Sequence, residues 1–156
     1  MPIDVSPLVH IEIVVRDINA AVNFLEKVFG AKRTEPELVR FLNETAAGLL
    51  KIEHVQLGDV VLQFIEPMAD GQDTWAEHLR KKGPGVHNLT FQVGNLNQAV
   101  AALAEAGAPT LFSMDLEWAK LHGAEVVREN VSPVHMIGSE DIVGFRLELA
   151  ENPMKE

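Results

Sequence analysis

The chain has no cysteine, which excludes disulfide bridges, thiolate metal ligands and cysteine nucleophiles. Basic residues are scarce, with 13 Lys and Arg against 23 Asp and Glu, and the resulting net charge of −10 argues against nucleic-acid and anionic-membrane partners. No apolar run reaches the roughly 18–20 residues that span a bilayer. Residues Met1–Pro7 lack the basic segment and apolar core of a secretory signal, so we expect a soluble, cytoplasmic protein.

The composition is that of a folded protein. Hydrophobic residues make up 47% of the chain and charged residues 23%, which are ordinary values for globular domains. A length of 156 residues fits one compact domain, or two small modules that share a core. A chain of this size can bury its core without covalent cross-links.

A strand followed by a helix is predicted near the N-terminus. Residues Leu8–Val15 are rich in β-branched side chains, with His10 and Glu12 on one face of the strand. Asp17 is placed to cap a helix, and Gly30 to end it. The apolar positions of this helix have the spacing of one buried stripe: Ile18, Ala21, Val22, Leu25, Val28 and Phe29.

The same unit recurs further along the chain. Residues Val86–Val93 form a second predicted strand, Asn95 caps the helix that follows, and Gly107 ends it. From Asp17 to Asn95 the offset is 78 residues, and the apolar helix positions keep that offset. Two copies at so long a period indicate a duplicated module rather than a solenoid.

Further strands are predicted after each helix. They cover about 31–42, 48–57 and 59–66 in the first half, with a hairpin turn at Gly58-Asp59, and about 109–113, 126–137 and 143–149 in the second. A helix over Thr74–Lys82 links the halves, and Gly83-Pro84-Gly85 ends it. We therefore predict an α+β fold of two tandem βαβββ modules, residues 1–83 (with the linker helix) and 84–156.

Four segments of the chain stand in a characteristic order: Val9–Ile18, Leu57–Pro67, Leu79–Asn88 and Gly144–Leu149. With these segments, the arrangement resembles the vicinal oxygen chelate superfamily, which includes glyoxalase I, bleomycin-resistance proteins, extradiol dioxygenases and methylmalonyl-CoA epimerases. The resemblance covers nearly the whole chain, and the second and third segments look most like the epimerases.

The resemblance implies a curled mixed sheet with a divalent metal ion in its central cavity. Ligands in this family come from the first and last strands of each module. Carried over by position, the implied ligands are His10, Gln63, Asn88 and Glu148. Imidazole, amide and carboxylate groups suit Zn, Co, Ni, Mn or Fe, and the resemblance does not say which.

Position 88 departs from the family pattern, because related epimerases have a second histidine there. Strand alternation turns Asn88 toward the cavity and His87 away from it. A β-bulge at the start of this strand would instead bring His87 inward, and one extra residue is available nearby for a bulge. An Asn amide is a weaker ligand than imidazole, so a site with three ligands or with no metal stays open.

Other polar residues are candidates for the cavity. Glu148 needs a partner if it is buried, either the metal or Arg146, which shares its parity. Related epimerases place a catalytic carboxylate near position 51, where this chain has Lys51.

Glu53 and Glu12 are therefore candidate proton-transfer groups beside Glu148. Lys51 and Arg146 are candidates to bind a carboxylate substrate, and His135 is a further candidate. Lys51 and Glu53 equally fit an exposed pair. His54 has the opposite parity to Glu53, so we expect it to face outward or toward the helices.

The function implied by the resemblance is that of a metal-dependent lyase or isomerase. It would act on a small carbonyl or acyl-thioester substrate through an enolate, as an epimerase does. The alternatives are a metal-free protein that binds a small molecule, as resistance proteins do, and an extradiol-type dioxygenase. Half-barrel modules leave sheet edges and apolar surface uncovered, so we also expect a homodimer.

Overall fold

A curled, unclosed sheet of eight strands organises the computed structural model, which describes residues 2–34, 50–114, 117 and 133–151. The strands are β1 His10–Val14, β2 Lys32–Thr34, β3 Leu50–Leu57, β4 Val60–Pro67, β5 Gly85–Val93, β6 Thr110–Met114, β7 Val134–Ile137 and β8 Arg146–Glu151. The helices are α1 Ile18–Phe29, α2 Thr74–Lys82, α3 Leu96–Glu105 and α4 Glu140–Val143.

The strand order confirms the predicted fold class. It runs β2-β3-β4-β1-β5-β8-β7-β6. Outward from the central seam, where β1 pairs with β5, the order is β1-β4-β3-β2 in the first half and the equivalent β5-β8-β7-β6 in the second. Within each half the first strand pairs in parallel with the last, β1 with β4 and β5 with β8. At the seam β1 and β5 are antiparallel, which relates the halves by a pseudo-twofold axis. The division at residue 83 stays a prediction.

Helices α1 and α3 cover one face of the sheet. Both predicted caps form: Asp17 accepts a hydrogen bond from the Ala20 amide, and Asn95 accepts one from Gln98. The apolar stripe of α1 packs against β3 and β4, and that of α3 against β5, β7 and β8. The stripe of α1 is shorter than its sequence pattern, because Val28 and Phe29 in the last turn are exposed.

The observed strands differ from the predicted ones mainly at their ends. The Gly58-Asp59 hairpin forms as expected, with Leu57 paired to Val60 and Gly58 at a φ of 56°. The strand predicted over 31–42 is seen over Lys32–Thr34, and the strand predicted over 126–137 over Val134–Ile137. Residues 35–49 and 126–132 lie outside the described part. The short helix α4 precedes β8, where a strand was predicted to begin.

The opposite face of the sheet carries α2 and a mixed lining. One part is an apolar cluster that includes Val14, Ile65, Met136 and, from α2, Trp75. The other part is polar and almost fully buried. Burying polar groups costs free energy unless they are paired, so a polar lining this deeply buried indicates a functional site.

Candidate functional site

Buried polar side chains from five strands meet on the face covered by α2. Each is at most 6% exposed: His10, Glu12, His54, Gln63, His87, Asn88, Thr90 and Glu148. We call these eight residues the polar cluster.

Strand pairing explains why residues so far apart in sequence meet in the polar cluster. One row across the sheet holds Gln63 beside Glu12, Glu12 beside Asn88, and Asn88 beside Arg146. The next row holds His10 beside Thr90 and Thr90 beside Glu148. Directly paired residues project from the same face, so the central seam brings both halves into one site.

Thr90 links His10 to Glu148. Its hydroxyl lies 2.9 Å from Nε2 of His10 and 2.9 Å from Oε1 of Glu148, and 3.2 Å from Oδ1 of Asn88. Nε2 of His10 and Oε1 of Glu148 are themselves 3.8 Å apart. The hydroxyl therefore bridges the first strand of the first half and the last strand of the second.

Glu12 is held from the side of α2. The indole N–H of Trp75 donates a hydrogen bond to Oε1 of Glu12, and the Asn88 amide donates to the same carboxyl group. Nδ1 of His87 lies 3.4 Å from Oε1 of Glu12. Because that nitrogen also accepts a hydrogen bond from the Asn88 amide, at 2.9 Å, it carries no proton to share with Glu12.

A β-bulge in β5 decides the orientation of His87 and Asn88. Glu12 pairs with Asn88, but the next residue, Ile13, pairs with Val86, so His87 is the extra residue. Both side chains enter the polar cluster as a result. Nε2 of His87 contacts the hydroxyl of Thr74 on α2 at 3.2 Å. The two alternatives that the sequence left open at this position are thus both present.

Burial keeps the imidazoles of the polar cluster neutral. Desolvation lowers the pKa of His10 from 6.5 to about 3, helped by the nearby His54. It lowers the pKa of His54 to about 4, and that of His87 to about 3 with the help of Arg146. A neutral imidazole retains the nitrogen lone pair that a metal ion binds.

The carboxyl groups shift in the opposite direction, for the same reason. Desolvation raises the pKa of Glu12 well above its usual range, and the neighbouring Glu148 raises it further. Desolvation raises the pKa of Glu148 to about 7, although the hydrogen bond from Thr90 works against the shift. Both groups therefore hold a proton near neutral pH more readily than an exposed glutamate.

Unpartnered atoms indicate that the polar cluster is built to hold a ligand. In the described part of the chain, four buried side-chain atoms lack a hydrogen-bond partner: Nδ1 of His10, Nε2 of His54, Oε1 of Gln63 and Oε2 of Glu148. All four can donate a lone pair to a divalent ion, and nitrogen with carboxylate oxygen is a donor set that Zn and similar ions accept. Ligand atoms of His10, Glu12 and Glu148 also lie within 4.8 Å of one another. The residues present therefore fit a metal ion.

The structure brings together all four residues that the resemblance implies as metal ligands. His10, Gln63, Asn88 and Glu148 all face the polar cluster. Asn88 differs from the other three, because both ends of its amide already have hydrogen-bond partners. Their role in binding metal stays a prediction.

Lys51 and Glu53 do not enter the polar cluster. Glu53 pairs across the sheet with Phe64, which packs under α1, so this side of β3 faces away. Nζ of Lys51 forms a salt bridge with Glu66 at 3.2 Å, and Arg33 binds Glu53 at 3.0 Å. Both side chains are exposed, which corrects their placement in the cavity.

Of the remaining two candidates, Arg146 lies near the polar cluster, whereas His135 lies on the opposite face of the sheet. Arg146 shares the face of Glu148, but its guanidinium bonds Glu140 and, at 3.0 Å, the hydroxyl of Thr74. It therefore lies at the rim of the polar cluster, and Glu148 does not use it as a partner. His135 pairs with Leu149 on the face covered by α3, with Nδ1 3.2 Å from the Thr110 hydroxyl. Its placement as a cavity residue is corrected.

Three residues of the site were missed from the sequence: His54, Thr90 and Trp75. Thr90 shares the face of Asn88 by strand alternation. His54 is 2% exposed and faces the polar cluster, because it pairs with Gln63 in the β3–β4 hairpin. Counting back from the Gly58-Asp59 turn gives this register from sequence alone. Trp75 had no such signal, since the docking of α2 depends on tertiary packing.

A sequence model of the Glyoxalase/Bleomycin resistance protein/Dioxygenase superfamily matches residues 9–119. No curated protein matches the chain. Among solved structures, methylmalonyl-CoA epimerase from Mycobacterium tuberculosis is similar, with 19% identity, a TM-score of 0.64, and coverage of 94% of this chain and 88% of that one.

Two further solved epimerases are similar to the chain. The Streptomyces coelicolor methylmalonyl-CoA epimerase in complex with 2-nitronate-propionyl-CoA has 20% identity and a TM-score of 0.64, and covers 96% of this chain and 99% of that one. A methylmalonyl-CoA epimerase in complex with methylmalonyl-CoA and NH4+ has 21% identity, the same TM-score, and coverage of 98% and 99%. At these identities the likeness shows the fold. None of the described helices is long and apolar enough to cross a membrane.

Proposed function

Because the chain belongs to the glyoxalase/bleomycin resistance protein/dioxygenase superfamily, we propose that it is a metal-dependent isomerase or lyase. It moves a proton at a carbon next to a carbonyl group of a small substrate, as an epimerase does. The observation that carries this proposal is the pair of buried carboxyl groups, Glu12 and Glu148, beside unpartnered lone-pair atoms of His10, His54 and Gln63.

His10, Gln63 and Glu148 are the residues proposed to hold the ion. Each has a buried atom without a hydrogen-bond partner, and each lies on the strand that supplies a ligand in the family. Bound there, a divalent ion acts as a Lewis acid that stabilises negative charge on substrate oxygens.

Glu12 is the proposed proton-transfer group. Its Oε1 already accepts the Trp75 indole N–H, so it is less in need of an ion than Glu148, whose Oε2 has no partner. Burial raises the pKa of Glu12, which brings its proton affinity closer to that of a carbon acid made acidic by an adjacent carbonyl. Glu53, which the sequence also offered for this role, is exposed on the opposite face.

Arg146 is the proposed contact for a negative group of the substrate. It lies at the rim of the polar cluster beside Thr74, with its side chain 21% exposed. A guanidinium at such a position can bind a carboxylate through two parallel hydrogen bonds. Lys51, on the opposite face, has no part in this contact.

The proposed substrate class is an acyl thioester with an acidic α-carbon. Two similar structures were solved with methylmalonyl-CoA or with 2-nitronate-propionyl-CoA, which makes methylmalonyl-CoA the first compound to test. The proposed assembly is a homodimer, since Phe24, Val28 and Phe29 leave apolar surface exposed on α1. A cytoplasmic location stays a prediction.

Deuterium exchange tests the proposed reaction. Protein loaded with Co(II) or Zn(II) is incubated in D2O with methylmalonyl-CoA, and deuterium at the α-carbon is followed by NMR. We expect exchange by the wild type and by Glu53→Gln, and exchange at least ~100-fold slower with Glu12→Gln. The two variants are matched, because both remove a carboxylate and only one lies in the polar cluster. Unchanged exchange in Glu12→Gln would refute its role.

A second function class is favoured by one observation. Asn88 replaces the imidazole that the family supplies, and its amide is already engaged in hydrogen bonds. A metal-free protein that binds a small molecule fits this feature. Metal analysis of protein purified without added ions discriminates the two classes. A stoichiometric divalent ion supports the enzyme, and no ion together with tight binding of a small molecule supports the binding protein.

A further inference from the structure

His54 is a buried imidazole that the proposed reaction does not use. It lies on β3, whereas the family draws its ligands from the strands equivalent to β1, β4, β5 and β8. Only 2% of its surface is exposed, and its ring centroid is 6.0 Å from that of His10. A buried imidazole normally has a partner at each nitrogen, so its position calls for an explanation.

The side chain of His54 faces the proposed metal ligands. It pairs directly across the sheet with Gln63, and Gln63 pairs with Glu12, which follows His10 by two residues on the same face of β1. His54, Gln63 and His10 therefore project from the same face of the curled sheet. The ring planes of His10 and His54 are inclined by 66°, so they are not stacked face to face.

The unpartnered atoms give an independent observation. Nε2 of His54 is one of four buried side-chain atoms without a hydrogen-bond partner in the described residues, and the other three belong to His10, Gln63 and Glu148. Three of these four residues are the proposed ligands. His54 and Gln63 are directly paired across the strands, yet Nε2 of His54 and Oε1 of Gln63 form no hydrogen bond with each other.

The side chain of Asn88, unlike Nε2 of His54, has hydrogen-bond partners. It occupies the position where the family has its second imidazole, yet its amide nitrogen donates a hydrogen bond to His87. Its Oδ1 lies 3.2 Å from the Thr90 hydroxyl and shares the one proton of that hydroxyl with Oε1 of Glu148, at 2.9 Å. To bind an ion, Asn88 would have to give up its share of that proton. His54 would give up nothing.

We propose that His54 supplies the second imidazole ligand of the metal site, in place of the residue at position 88. The ligand set is then His10, His54, Gln63 and Glu148, and the second imidazole comes from β3 of the first half rather than from β5 of the second. This proposal rests on the metal-dependent function proposed above.

Counting ligated histidines tests the proposal without reference to activity. The protein is loaded with Co(II), and the proton NMR spectrum is searched for exchangeable, hyperfine-shifted imidazole N–H signals. Each ligated histidine whose other nitrogen carries a proton gives one such signal. We expect two signals in the wild type and in His87→Gln, and one in His54→Gln. His87→Gln is a matched control, because His87 is an equally buried imidazole of the polar cluster.

Affinity gives the second measurement. Loss of a residue that only supports a ligand costs roughly 10–100-fold in metal affinity. We expect His54→Gln to weaken Co(II) binding by more than ~100-fold, and Asn88→Ala and His87→Gln to stay within the range of supporting residues.

The outcomes separate this proposal from the function on which it rests. A single signal in the wild type, or two in His54→Gln, overturns the role of His54 while metal dependence stands. Loss of a signal in His87→Gln overturns it in favour of His87. A wild-type protein that binds no Co(II) refutes the metal-dependent function, and this ligand set with it. If His54→Gln does not fold, the counts in the wild type and in His87→Gln decide together, and two signals in both are the result that supports His54.

Discussion

The indole N–H of Trp75 donates a hydrogen bond to the buried carboxyl group of Glu12, and so ties α2 to the first strand of the sheet. Trp75→Phe keeps an aromatic ring in the apolar cluster and removes the donor. Leaving a buried acceptor short of a partner costs about 1–3 kcal/mol, so we expect the free energy of unfolding in urea to fall by that amount.

A double-mutant cycle isolates the hydrogen bond from the change in ring size. In the background of Glu12→Leu, which has no acceptor, Trp75→Phe should cost less than in the wild type, by roughly 0.5–3 kcal/mol. Equal costs in the two backgrounds would show that Trp75 acts through packing alone.

Removal of His10 should weaken metal binding more than removal of other histidines. His10 has an unpartnered buried nitrogen and lies 3.8 Å from Glu148, whereas His135 lies on the opposite face. We expect His10→Ala to lower the affinity for Zn(II) by more than ~100-fold in calorimetric titration, and His135→Ala to leave it unchanged. His87→Ala should fall between them. Equal losses in His10→Ala and His135→Ala would contradict the assigned face.

The stability of the metal-free protein should depend on pH through Glu148. Its pKa is raised from 4.5 to about 7 by burial, so the folded state binds a proton more tightly than the unfolded state. This contribution to stability is fully present below about pH 4.5 and is lost as the pH rises through about 7.

The comparison is made against Glu148→Gln, which does not titrate. As the pH rises from about 4.5 to 7, the unfolding free energy of the wild type should fall relative to this variant, by up to about 3 kcal/mol. Glu53→Gln, an exposed site, should follow the wild type throughout. A difference that changes in the opposite direction would show that folding lowers the pKa of Glu148, which contradicts this prediction.

The exposed ion pairs on the outer face should contribute little. Lys51 and Glu53 are paired with Glu66 and Arg33 at the surface, where such pairs contribute about 0–1 kcal/mol. We expect Lys51→Ala and Glu53→Ala each to lower the unfolding free energy by less than about 1 kcal/mol, with metal affinity unchanged. A large loss of metal affinity in either variant would restore it to the site.

The homodimer is tested by light scattering. The chain has a mass of 17.2 kDa, and we expect a mass near twice this value at micromolar concentration. Exposed Phe24 and Phe29 on α1 provide apolar surface that association can bury. A mass that stays near 17 kDa across a concentration series would refute the dimer.

The local signals in the sequence were sufficient for the fold. Asp17 and Asn95 cap their helices, the Gly58-Asp59 hairpin forms, and the two strand–helix units take equivalent places in the sheet. These features depend on neighbouring residues and on the period of apolar positions, which the sequence shows directly. The site depends on which face of each strand turns inward, and that is less local.

The strand faces were assigned correctly only where strong apolar neighbours fixed them. Leu147 and Leu149 pack on the α3 side and leave Glu148 inward, as their alternation predicts. For β3, the prediction followed the catalytic carboxylate that related epimerases have near position 51, and so turned the wrong face of the strand toward the cavity. The hairpin register instead places His54 opposite Gln63 on the cavity face. In β7 no turn or stripe fixes the register, and the face of His135 follows only from its pairing with Leu149.

The pairing of β1 with β5 at the centre of the sheet has a consequence for the order of folding. The first strand supplies His10 and the last supplies Glu148, so their meeting through Thr90 requires nearly the whole chain to be in place. Contacts between such distant segments raise the contact order and form slowly. An ion held by both strands would act as a late cross-link, and amide hydrogens in β1 and β8 would then exchange as one cooperative unit.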